Sequence, residues 1–170
     1  MITEQQIDNL TLKGEISIAL FALERLSKEK IQKHQTYFDF IEHMKIWMKC
    51  SNDEQDDNTS IKLYKQYSDK MYSDISNATD LDLRKYMSLS YNLFLYILRS
   101  MEGIEYLLYP NKTQEPTSDV IEQDNATLIE DLVEINKIIF LENDLTTFYN
   151  KLFRTQEYSE SNEIGMPIIL

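Results

Sequence analysis

Between Leu83 and Leu108 the residues Leu83, Met87, Ser90, Phe94, Ile97, Met101, Ile104 and Leu108 recur in steps of 4-3-4-3-4-3-4. That period belongs to an α-helix of about seven turns and to no other regular structure. A second stripe, Tyr86, Leu89, Leu93 and Tyr96, lies beside the first, leaving Lys85, Ser88, Asn92, Arg99 and Glu102 on one narrow polar strip. A helix apolar around most of its circumference has to be wrapped by other elements. Asp80 can cap its start, and Pro110, which has no amide hydrogen, stops it. The spacing therefore predicts a central helix over about 81–109, roughly 40 Å long.

Shorter stripes surround it. Leu12, Ile16, Ala19, Leu23 and Leu26 predict a helix from about Thr3 to Lys28, with Thr3 and Gln6 as its N-terminal capping pair and Gly14 as a place where it can kink. Tyr37, Ile41, Met44 and Met48 predict a second over 32–50, and Ile61, Tyr64, Met71 and Ile75 a third over 60–76. Leu128, Leu132, Ile135 and Ile139 mark a fifth, and Leu145, Phe148 and Leu152 a sixth. Only 3 Gly and 3 Pro occur in 170 residues, too few for the turns of a β-sandwich or barrel. No fixed period of a helical solenoid is present. The expectation is an all-α, single-domain bundle of five to six helices. A polar loop spans 51–59, a linker loop spans 110–118, and a tail over 155–170 is polar and then apolar.

The net charge of −12 argues against a nucleic-acid binder that relies on a basic patch. No apolar run is long enough for a transmembrane helix, and the acidic first fifteen residues do not read as a secretory signal. A lone Cys50 fits a reducing compartment, so the expected location is the cytoplasm.

Charge is distributed unevenly. Residues 1–50 balance at 7 − 7 = 0, residues 51–112 sum to 7 − 10 = −3, and residues 113–170 to 3 − 12 = −9. Between Lys112 and Lys137 stand Glu115, Asp119, Glu122, Asp124, Glu130, Asp131 and Glu134, with no base among them. The 51–59 loop adds Asp53, Glu54, Asp56 and Asp57. Such segments keep a protein dispersed, and they can also steer a basic partner toward a binding face. These carboxylates are the candidate partner-binding residues. Should they only solubilise, Tyr64, Tyr67 and Tyr72 are the first alternative surface.

Catalytic constellations are sparse. His34 and His43 stand nine residues apart on a helix and so on opposite faces, and one cysteine cannot complete a zinc site. Glu102-x-x-Glu105 followed by Asp131-x-x-Glu134 is the arrangement nearest to the Mg²⁺-holding carboxylate pairs of all-α nucleotide pyrophosphohydrolases, with the second pair in reversed order. No cofactor, metal or catalytic group is expected, which leaves a binding role.

The chain's size, its acidity, the Lys13-Gly14-Glu15 helix and the single-tryptophan helix His43-Met44-Lys45-Ile46-Trp47-Met48-Lys49 resemble the all-α immunity proteins of bacterial polymorphic toxin systems. The likeness is one of overall profile and carries no functional residue across. It implies a cytoplasmic inhibitor that binds and neutralises a cognate toxin, for which a basic toxin domain is the matching partner. A helical regulatory module, with a homodimer as one form, is the alternative, and an all-α Mg²⁺-dependent nucleotide pyrophosphohydrolase is the third reading.

Overall fold

The computed structural model describes residues 1–112 and 116–170. Glu115 and the middle of the 110–118 linker lie outside the described residues. Among those described, 74% are helical and no strand occurs, only the isolated bridges Leu10–Glu157 and Ser159–Asn162. Eight α-helices are present among them: α1 (Glu4–Asp8), α2 (Leu12–Lys30), α3 (Gln35–Lys49), α4 (Thr59–Asn77), α5 (Leu81–Leu108), α6 (Ser118–Ile121), α7 (Asn125–Ile139) and α8 (Glu142–Gln156).

The helix expected over 3–28 is two helices. Thr3 and Gln6 do form a capping box at the start of α1. A second start follows at Thr11, whose side chain accepts from the Gly14 amide at 3.1 Å. The Leu12 and Lys13 amides donate to the Glu163 and Ile164 carbonyls, each at 2.9 Å. Two donors that a helix start leaves unsatisfied are thus met by the C-terminal segment. Gly14 is a point of close approach: a Cβ there would meet Leu10 Cβ at 2.9 Å and Gln156 Cβ at 3.1 Å.

Helix α5 packs against α2, α4, α6 and α7. Met87, Ser90, Phe94, Ile97, Met101 and Ile104 of its first stripe are buried. Phe94 meets Phe40 of α3 edge-on, with ring centroids 4.8 Å apart, and Phe40 meets Tyr67 of α4 at 5.7 Å.

The 51–59 loop is less solvated than its composition predicts. Ser51 and Glu54 form a capping box over a 3₁₀ turn, and Gln55 is buried, its carbonyl accepting from the Tyr109 hydroxyl at 2.5 Å. The start of α4 is held by a carboxylate from α5. Glu105 accepts from the Ser60 amide at 2.7 Å and the Ser60 hydroxyl at 2.5 Å, and pairs with Lys112. A buried anion at a helix N-terminus satisfies both the orphan amide and the helix dipole.

At the C-terminal end the Ile168 amide donates to the Met48 carbonyl at 2.8 Å. Ile168 and Leu170 lie against the core, whereas Ile169 points away and is 86% exposed. No helix among the described residues is long and apolar enough to cross a membrane.

Candidate functional site: a tyrosine-walled acidic cavity

Helix α4 presents Tyr64, Ser68 and Tyr72 at i, i+4 and i+8, a spacing that keeps three side chains on one strip of a helix. Helix α5 faces that strip with Tyr91 and Leu95, again four residues apart. Helix α6 and the turn after it close the side with Asp119, Glu122 and Gln123. Together with Asp69 these residues line an open cavity of about 300 Å³.

Packing and hydrogen bonds hold its floor and walls. Ser68 and Leu95 are buried, and the hydroxyls of Ser68 and Tyr91 are hydrogen-bonded at 2.8 Å. Tyr91 stacks on core residue Phe94 at 5.7 Å and meets Tyr72 edge-on at 6.3 Å. The Tyr64 hydroxyl donates to Asp119 Oδ2 at 3.0 Å. Burial above all, opposed by the Ser68 bond and helped by Tyr64 and Asp119, holds the Tyr91 hydroxyl above the usual phenol range. Tyr72 is 63% exposed and forms an outer wall.

The electrostatics favour a cation. Asp69, Asp119 and Glu122 are exposed, and none is paired with a Lys or Arg among the described residues. The π-faces of tyrosine rings are themselves electronegative. Aromatic rings beside unpaired carboxylates attract an ammonium or guanidinium group.

The acidic residues singled out in the sequence do not share one face. Asp119 and Glu122 line the cavity. Asp124 instead caps α7, accepting from the Thr127 amide at 2.8 Å. Glu134 bridges Lys85 at 3.2 Å and Lys137 at 2.5 Å, which holds its carboxyl below the usual range. Asp131 is half-buried and accepts from Asn92 at 3.1 Å; burial raises its carboxyl to about 6. Glu130 is exposed on α7. In the 51–59 loop Asp53 and Asp56 are exposed, Glu54 is taken up by its cap, and Asp57 is half-buried.

Of the tyrosines, Tyr64 and Tyr72 reach the cavity, whereas Tyr67 is buried and bonded through its hydroxyl to His43 Nδ1. Asp69 and Tyr91 were not visible from the sequence as site residues. Glu105 is committed to the start of α4, and among the described residues no group of His, Cys, Asp or Glu is placed to hold a metal ion.

A larger cleft, about 380 Å³, lies between α2, α8 and the C-terminal residues, where Phe21 and Phe148 stack at 4.5 Å. It is apolar, and its one acidic side chain, Glu24, is already bonded to Lys28 and Lys45. The tyrosine-walled cavity combines aromatic walls with carboxylates that no Lys or Arg takes up among the described residues, and it is the candidate site. Compared with known proteins, the chain matches no family model, no curated protein and no solved structure.

Proposed function

We propose that this chain is a cytoplasmic binding protein that neutralises a basic protein partner by stoichiometric association, as an immunity protein does a cognate bacterial toxin. The observation that carries the reading is the cavity between α4, α5 and α6, which unites three tyrosines with three carboxylates that pair with no Lys or Arg among the described residues. Tyrosine is enriched at protein-binding hot spots, and polar, solvent-accessible groups form the rim around them. The net charge of −12 adds long-range attraction for a basic partner and raises the encounter rate.

The test begins with tagged protein used to capture its partner from the source cytosol. The reading expects a basic protein in a 1:1 complex, and expects the captured protein's activity, or its toxicity on expression alone, to be suppressed by adding this chain. A partner that retains full activity in the complex would refute inhibition. Hydrolysis of nucleoside triphosphates by the purified chain with Mg²⁺ would replace the reading with an enzymatic one.

A further inference from the structure

Resting on that reading of the cavity as a partner site, we propose that it receives a single arginine side chain of the partner, the guanidinium lying against Tyr72 and Tyr91 and bonding to the carboxylates of Asp69, Asp119 and Glu122. Size comes first. At about 300 Å³ the cavity stands at the lower limit of ligand pockets, the scale of one long side chain.

The polar groups decide which side chain. The acceptors come from two elements, Asp69 on α4 and Asp119 with Glu122 at α6. A guanidinium carries five donors in a planar fork and can serve acceptors on two sides at once. It is also less strongly hydrated than an ammonium and stacks on aromatic faces, here offered by the exposed ring of Tyr72. The lysine ammonium is a compact, strongly hydrated point charge with no planar fork and no flat face to stack on the rings.

Preorganisation supports the assignment. The Ser68–Tyr91 and Tyr64–Asp119 hydrogen bonds fix two rings and one carboxylate before any ligand arrives. Less ordering remains to oppose binding when the walls already stand in place.

The experiment titrates the whole chain with three blocked tripeptides, acetyl-Gly-Xaa-Gly-amide with Xaa as arginine, lysine or norleucine, followed by NMR of the tyrosine ring protons and the Ser68 and Leu95 amides. The arginine peptide is expected to give saturable shifts confined to these residues. The lysine peptide should bind about fivefold more weakly, the order of one stacking contact. The norleucine peptide should give none. Asp119→Asn with Glu122→Gln should abolish saturation while the far-UV circular dichroism spectrum stays that of wild type, and Tyr72→Ala should weaken binding about fivefold.

Equal binding of the lysine and arginine peptides would overturn the guanidinium assignment. Shifts that rise linearly and spread over the whole acidic surface would overturn the site itself. Because the peptides need no partner, the two readings fail separately. Peptide binding without a basic partner would remove the inhibitor reading and leave the arginine slot. A captured basic partner without peptide binding would do the reverse.

Discussion

The hydroxyl of Tyr64 donates to Asp119 Oδ2 across 3.0 Å, tying the middle of α4 to the short helix α6. Two surfaces that the sequence offers as alternatives, an acidic segment and a tyrosine patch, thereby become one. Tyr64→Phe keeps the ring and removes the bond. It should cost roughly 0.5–1 kcal/mol, because a hydrogen bond near the surface exchanges with water. Urea denaturation of the two proteins checks this, and the arginine-peptide affinity should fall with it as Asp119 loses its tether.

Removing Glu105 should cost far more. Glu105→Ala leaves the Ser60 amide and hydroxyl and the largely buried Lys112 ammonium without their acceptor. Breaking one side of a buried pair costs about 3–5 kcal/mol. The expected result is a sharply lower urea midpoint, with α4 losing amide protection from its first turn onward.

Gly14→Ala should destabilise even though alanine is the better helix former by about 1 kcal/mol. The added Cβ would stand 2.9 Å from Leu10 Cβ and 3.1 Å from Gln156 Cβ, atoms fixed close to their own backbones. Overpacking of this kind costs about 1–3 kcal/mol, so the net sign is a loss. A melting temperature that rises on substitution would show that Leu10 and the end of α8 can move away from α2 freely.

Glu15 sets a pH dependence opposite to that of an ion-paired carboxylate. Burial, chiefly, raises its carboxyl from 4.5 to about 7 in the fold, against the opposing pull of Arg99 and bonds from Asn125 and Ser100. The folded state therefore holds the proton more tightly than the unfolded chain. The stabilisation is complete below about pH 4.5 and is lost as pH rises through 7. Glu15→Gln keeps an acceptor for the Ser100 hydroxyl and removes the titration. It should match wild type near pH 4.5 and exceed it in unfolding free energy at pH 8, by an amount on the order of 3 kcal/mol. Unfolding curves at the two pH values check the sign.

Local periodicity was enough to place the long helices, but not to count the eight present among the described residues. The buried faces of α5 and α7 are the stripes Met87–Ile104 and Leu128–Ile139 as counted from residue spacing. The break at Thr11 was not legible, because its extra partners, the Gln156, Glu163 and Ile164 carbonyls, lie far along the chain. Some of the acidic residues could have been sorted earlier. Asp124-x-x-Thr127 is a cap spacing, and Glu134 with Lys137 is a helical ion-pair spacing. Helical phase also separates the tyrosines: Tyr67 sits about 140° from Tyr72 on α4, so one faces α3 while the other faces out. What no local rule shows is that Tyr91 and Asp119 meet the strip of α4, since that is a matter of tertiary packing.

The central claim, that an acidic and aromatic face binds a basic partner, is tested most directly by association kinetics. Wild type and the Asp69→Asn, Asp119→Asn, Glu122→Gln triple variant are passed over the immobilised captured partner at about 0.1 M and about 1 M salt, where the Debye length falls from about 10 Å to about 3 Å. The wild-type on-rate should drop steeply with salt, and the variant should associate more slowly at low salt with a shallower salt dependence. The variant should also dissociate faster, because the lost carboxylates make direct contact. A variant whose association and dissociation match wild type at low salt would contradict the claim.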